Sequence, residues 1–293
     1  MSTHVPAHAS AAPTAQAPAR TAVGTAPASS VPRPAGPRIQ GRQTILRSVR
    51  AEWIKICSLR STWITSFITI ALTVLFGAGL TAALGQSEHY QDTAKNMITS
   101  GLTFGQVVVA VLGALIITGE YSSGQIRSSL TAIPHRGRLL LAKAVVLSVV
   151  AFLLGSVSVF LSWAISKPFI GEHAGSLTDS HYAGHIWGSG LVFAVIALMA
   201  LGLGFLLRST AGTITVIVSL LFIISTPLQI AASKWDWIYK IIGCLPSTVS
   251  EAVSDPFQRT TEWGGQGAQF LTHGQAIAVF AAWAIVPLLV AWF

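Results

Sequence analysis

An all-α integral membrane protein is predicted, with six transmembrane helices, an N-terminal interfacial amphipathic helix and a short cytoplasmic helix. Three observations predict it. Hydrophobic residues fill 52% of the 293 positions and charged residues only 10%, whereas a soluble domain carries about 25% charged residues. Mean hydropathy is +0.64. The apolar residues also gather into six runs near the roughly 20 residues that a helix needs to cross a hydrocarbon core. These runs show no strand-like alternation, and unpaired backbone groups are excluded from lipid, which leaves helices.

Residues 1–40 are a different material. They hold 7 of the 13 prolines and 11 alanines, with no Leu, Phe, Trp or Tyr. A segment with so little to bury is expected to be a disordered Ala/Pro-rich cytoplasmic tail, and no apolar signal-peptide core follows Met1. Residues 41–62 come next. There Ile45, Val49, Trp53 and Ile56 recur at helical spacing, with Arg47, Arg50 and Ser58 on another face. The pattern reads as an interfacial helix, Trp53 at headgroup depth and Arg47 and Arg50 toward anionic lipid. A plain extension of the first span is its alternative.

The transmembrane domain is expected over 63–293, with spans at 63–84, 98–119, 144–165, 186–207, 214–232 and 276–293. Placing the N-terminus inside leaves 13 basic residues on the cytoplasmic side and 5 outside, while eight of the ten acids lie outside. That satisfies the positive-inside rule with both termini cytoplasmic. Topology therefore accounts for the net charge of +8, and no nucleic-acid partner is needed. Cys57 and Cys244 lie too far apart in the chain to suggest a disulfide framework.

What lies between the spans limits the chemistry. No stretch is large enough for a nucleotide-hydrolysing domain, and neither G-x-x-x-x-G-K-[ST] nor H-E-x-x-H occurs. The middles of the spans carry no ionisable residue, unlike transporters that bind a coupling ion at the midplane. His173, His181 and His185 share an outer loop with Glu172 and Asp179 but read as solvated histidines rather than as a metal site. The span glycines read mainly as packing positions, and the span serines and threonines as partners of their own helix backbone.

The loop between the second and third spans is the most informative segment. It runs Glu120-Tyr121-Ser122-Ser123-Gly124-Gln125-Ile126-Arg127-Ser128-Ser129-Leu130-Thr131-Ala132-Ile133-Pro134-His135-Arg136-Gly137-Arg138 and on to Lys143. Gly124 is placed to end one helix. Ile126, Leu130 and Ile133 then mark one face of a short helix stopped by Pro134, with Arg127 on its polar side. Such a helix suits force transfer from a cytoplasmic partner, and an ordinary basic loop that fixes topology fits equally well.

The order Glu120-Tyr121, Gly124, Arg127, Leu130, Pro134, Arg136, Arg138, Lys143 resembles the membrane-spanning permease subunit of a type-2 ABC transporter. The start Arg50-Ala51-Glu52-Trp53-Ile54-Lys55, followed by Arg60-Ser61-Thr62, looks like the same family, and the likeness extends over residues 42–293. The Ala/Pro tail stands outside the family pattern. The resemblance implies a non-enzymatic permease, an exporter in the cell membrane, that pairs with a second copy or paralogue. It implies separate ABC ATPase subunits docked at this loop, through Glu120, Tyr121, Gly124, Ile126, Arg127, Leu130, Pro134, Arg136 and Arg138. No cofactor is expected on this chain; ATP and Mg are expected on the partner ATPase subunit. Isolated exposed ion pairs contribute only about 0–1 kcal/mol, so docking is expected to rest on Ile126, Leu130 and Ile133. In the 43-residue outer loop, Trp235, Trp237, Tyr239 and Trp263 read as interfacial seats. The family adds short re-entrant helices around residues 245–257, with Asp255-Pro256 starting or breaking one. The alternative from another class is an integral-membrane enzyme or an assembly scaffold without transport activity.

Overall fold

The computed structural model describes residues 44–85, 95–132, 136–171, 180–255 and 271–292. The chain divides into two units, Met1–Arg42 and Gln43–Phe293, and every described residue belongs to the second. Eleven α-helices and no strand occur among the described residues. They are α1 (Ile45–Ser58), α2 (Arg60–Gly85), α3 (Leu102–Ser122), α4 (Gln125–Ala132), α5 (Arg136–Ile170) and α6 (Ser180–Leu207), then α7 (Thr210–Val218), α8 (Ser225–Ala232), α9 (Trp237–Gly243), α10 (Pro246–Ser254) and α11 (His273–Trp292). A 3₁₀ turn, Lys95–Thr99, leads into α3, and a π-helical turn, Ser219–Ile223, joins α7 to α8.

Six helical stretches among the described residues are long and apolar enough to span a membrane: Arg60–Gly85, Met97–Ser122, Arg136–Ile170, Ala183–Leu207, Thr210–Ala232 and His273–Trp292. The all-α membrane architecture expected from composition is present. One boundary differs substantially. The third span starts at Arg136, well before residue 144, because Arg136, Leu139, Leu140, Leu141, Ala142 and Lys143 favour helix individually even where their charges lower a hydropathy average. Its 35 residues cover about 52 Å at 1.5 Å per residue, far more than a hydrocarbon core, so its first turns extend beyond that core.

The sixth helix is the hub. It packs against α5, α3, α11 and α10, and its Phe193, Ile196, Met199 and Leu201 are fully enclosed. Water-driven burial cannot join helices in lipid, so close backbone approach has to. Gly113 of α3 lies against the Ala197 carbonyl of α6, and Gly155 of α5 against the Ser189 carbonyl and the Gly190 backbone of the same helix. A methyl group at either glycine would collide with main chain. Gly79 of α2, by contrast, faces open space. The serines and threonines follow the pattern expected of them: the Thr69, Thr81, Thr118, Ser158, Ser162, Ser166 and Ser189 hydroxyls donate to carbonyls one turn back.

The π turn has a local cause. Pro227, two residues into α8, has no N–H to donate to Ile223, and its ring crowds that carbonyl. The ladder accommodates this with a wider turn, in which the Ile224 N–H donates to Ser219 O at 2.9 Å.

Two short helices follow. α9 packs beside α8, and α10 begins with Pro246 in the first helical turn, where a missing N–H is harmless. Val249, Ala252 and Val253 of α10 are buried in the main core, and the helix ends at Ser254 with Asp255 beyond it. Trp235 and Trp237 are exposed; Trp263 and Pro256 lie outside the described residues. His185 departs from expectation. It is 1% exposed inside α6, its Nδ1 hydrogen-bonded to the Ser254 carbonyl at 2.9 Å. Helix α6 begins before the apolar run, at Ser180, which carries this histidine into the α6–α10 contact. His173 lies outside the described residues, and no group of three metal-ligating side chains occurs among those described.

The seam predicts a contrast. Gly113→Leu is expected to lower stability by about 1–3 kcal/mol or more through overpacking, while Gly79→Leu leaves it nearly unchanged. Thermal unfolding of both variants in detergent checks this; equal behaviour would remove the seam argument.

Candidate functional site

The end of the bundle that carries α1 and α4 contains a buried ion network. Lys143, on the second turn of α5, is 0% exposed. Its Nζ donates to Glu52 Oε2 of α1 at 2.9 Å and to Glu120 Oε1 near the end of α3. Lys55, one turn after Glu52, reaches the same Glu120 oxygen. Glu52 and Glu120 are buried, and Lys55 is half-buried. Two cations and two carboxylates thus balance in a nearly dry site formed by three helices.

Local sequence explains how each group arrives there. The buried face of α1 is Ser48, Glu52 and Ile56, successive residues four apart and therefore on one stripe. Trp53, Ile45 and Leu46 remain exposed. Arg47 and Arg50 are exposed as well. Leu59 has an extended backbone (φ −81°, ψ 122°), which separates α1 from α2.

The acidic-aromatic pair at the end of α3 divides its contacts between opposite sides. Glu120 joins α1 and α5. Tyr121 packs edge-on to Phe205 of α6, centroids 6.3 Å apart, and the Arg208 guanidinium lies 5.5 Å from its ring centroid. One turn earlier, the Thr118 hydroxyl pairs with Thr210 of α7 at 2.6 Å. The root of the following segment is therefore tied to α1, α5, α6 and α7 together.

Beyond this root, Gly124 turns the chain with φ +72°, a conformation costing other residues about 1–2 kcal/mol. Helix α4 begins at Gln125. Arg127 is exposed, but Ile126 is half-buried and packs on the bundle core. The apolar face expected to serve docking is thus partly in use within the subunit. Leu130 is in α4, although its side chain is outside the description; Ile133 and Pro134 lie outside the described residues. Arg136 and Arg138 are exposed at the start of α5.

Sequence reasoning identified Glu120 as a site residue, but took Glu52, Lys55 and Lys143 as topology charges and as parts of the family resemblance, without pairing them with one another. The usable signal was an acid and a base one turn apart before the first span, together with a lysine inside an otherwise apolar helical run.

At the opposite end, a cavity of about 440 Å³ lies among the start of α3, the π turn, α8 and α10. Its polar lining includes Thr103, Gln106, Ser225, Gln229, Ser247 and Glu251. Gln106 is buried and its Oε1 has no hydrogen-bond partner. Among the described residues, Glu251 is the one titratable side chain lining this cavity; the residue retains solvent exposure, and partial loss of water around its carboxyl pushes it above the ordinary value of 4.5.

The sequence profile of a family described as ABC-2 family transporter protein matches residues 48–226. No curated protein matches the chain.

Two predictions follow from these groups. Lys143→Met leaves two buried carboxylates facing each other with only Lys55 between them, and is expected to cost about 3–5 kcal/mol; Arg138→Met, at an exposed site, is expected to change stability little. Thermal unfolding in detergent compares them. For Glu251, the raised folded-state value means that the folded chain holds its proton more tightly than the unfolded chain. The contribution of Glu251 to stability is therefore greatest at low pH, falls as pH rises from about 4.5 through the raised value, and is level above it. Glu251→Gln should abolish that decline in melting temperature; an unchanged pH profile in the variant would exclude Glu251 as its origin.

Proposed function

We propose, from the premise that this chain belongs to the ABC-2 transporter family, that it is the permease subunit of an ATP-driven exporter. It is a multi-pass membrane protein with a transport role. In our reading, separate ABC ATPase subunits dock at the segment from Gly124 to Arg138, between the second and third spans. ATP and Mg belong to those subunits. The end bearing α1 and α4 is cytoplasmic, the protein resides in the cell membrane, and a second permease copy or paralogue completes the assembly.

The tie at Glu120 is the observation that carries this reading. An ATPase pushing on α4 acts on a helix whose root is fixed to α1 and α5 through Glu120 and to α6 through Tyr121. The displacement is therefore shared by several spans rather than absorbed in a loose loop. Charge supports the orientation: Arg47, Arg50, Lys55, Arg60, Arg127, Arg136, Arg138 and Arg208 all belong to this end. Helix α1, with Trp53, Arg47 and Arg50 exposed, suits the membrane–water interface. Residues 1–40 are assigned a passive cytoplasmic tail. The fifth span supports pairing. Only 11% of its most apolar window is buried within the chain, which leaves nearly all of it for lipid or a second permease.

At the outer end, the cavity bearing Gln106 and Glu251 gives α3, α8 and α10 a polar surface within a largely apolar bundle. A passage that opens outward needs such a surface.

The test is co-purification in mild detergent from cells expressing the tagged full chain. An ATPase subunit is expected with the wild type and lost at least tenfold from Arg127→Glu combined with Leu130→Asp. A folded wild-type preparation that brings down no ATPase would overturn the docking proposal.

A further inference from the structure

A second cavity, about 390 Å³, opens at the same end as the ion network. It lies between the end of α3, α4, the first turns of α5 and the ends of α6 and α11. Its walls are of two kinds. Leu139, Leu140, Phe205, Leu206 and Val290 make it apolar, while Arg136 and Arg208 bring two guanidinium groups to it. Among the described residues no carboxylate lines it, and neither arginine belongs to an ion pair. The nearby acids, Glu52 and Glu120, are already neutralised by Lys55 and Lys143.

Arg208 holds its place at some expense. It follows α6 with φ 51°, and its N–H donates to the Gly204 carbonyl at 3.0 Å. Glycine ordinarily takes that left-handed position at a helix end. The cation sits there instead, against the Tyr121 ring. Packing at the far wall is equally close: the Trp292 ring of α11 lies directly on Gly137 of α5. This brings the end of α11 beside the basic start of α5.

We propose that this cavity binds one anionic phospholipid, its phosphate between Arg136 and Arg208 and the first carbons of its chains along the leucine and phenylalanine wall. Two guanidiniums at one cavity without a counter-charge call for an anion with several acceptor oxygens. The apolar wall beside them calls for an amphiphile rather than a free ion. Basic pockets between spanning helices at headgroup depth are suited to such lipids, and the volume fits a headgroup but not whole acyl chains. Because Ile126 of α4 also lines the cavity, the lipid would brace the root of α4 from the side opposite Glu120. The inference depends on the membrane-spanning architecture and not on ATPase docking.

The test uses the full chain in neutral detergent, with native mass spectrometry and melting temperature as readouts. Wild type is expected to retain one phosphatidylglycerol per chain and to melt several degrees higher with it, with at least tenfold weaker retention of phosphatidylcholine. Arg136→Gln with Arg208→Gln should lose phosphatidylglycerol retention at least tenfold, whereas Lys234→Gln with Lys240→Gln, exposed at the opposite end of the bundle, should keep it. Equal retention of both lipids, an equal loss in the lysine variant, or the same stabilisation by inorganic phosphate would overturn the lipid site. A photoactivatable phosphatidylglycerol on wild-type protein gives a reading independent of how the variants fold. Labelled peptides should include residues 136–140 and 204–208, and labelling confined elsewhere would refute the proposal.

Discussion

Charges removed from water at a membrane face can persist only beside opposite charges, and the arrangement of α1, α3 and α5 follows from this constraint. Lys143 is wholly enclosed, so each carboxylate that faces it is held by electrostatics as well as by packing. Such a network is weak evidence for extra stability, since desolvation offsets much of the attraction. Its value is positional. A shift of α1 by one residue along its axis would take Glu52 out of reach and leave Lys143 unpaired in an apolar surround, so the register of α1 is specified more sharply than an amphipathic stripe alone would specify it.

That register gives the two ends of the bundle different mechanical characters. At the α1 end, the last turns of α3 are tied by charge to α1 and α5, by aromatic contact to α6 and by a hydroxyl pair to α7. At the other end the elements are short. The π turn, α8, α9 and α10 are separate pieces around a polar cavity that retains an unpartnered Gln106 oxygen. Short helices joined by turns have few shared backbone bonds, so rearrangement costs less there than within a continuous span. Input at a stiff end and opening at a segmented end is the division of labour that the ATP-driven export we propose would require.

Much of the fold was legible because the spans are dictated by one-dimensional quantities, length and apolarity. The run at 98–119 anticipates Met97–Ser122 closely, and the break near Asp255 is marked by its following proline. The helix that carries the third span begins before its apolar run for a physical reason: hydropathy averages penalise Arg136, Arg138 and Lys143, while helix formation does not. The site was legible only in part. Gly124 announces the turn before α4 by its lack of a Cβ. The partners of Lys143, however, lie 91 and 23 residues away, and no local pattern encodes pairing over such distances. His185 was misread similarly, since its burial depends on the return of α10 across α6.

The two features at the α1 end also bear on each other. Glu120 and Tyr121 are adjacent, yet one belongs to a neutralised polar network and the other borders a cavity with two unneutralised arginines. A residue pair that straddles such a divide couples them: displacement of Tyr121 toward or away from Arg208 rotates the end of α3 and thereby strains the contacts of Glu120 with Lys55 and Lys143. The network resists that rotation because any lengthening exposes buried charge to an apolar surround. The arginine cavity, lacking a counter-charge of its own, offers no comparable resistance until an anion fills it. The rigidity of the root of α4 is therefore set on one side by residues of the chain itself and on the other by what the surrounding membrane supplies.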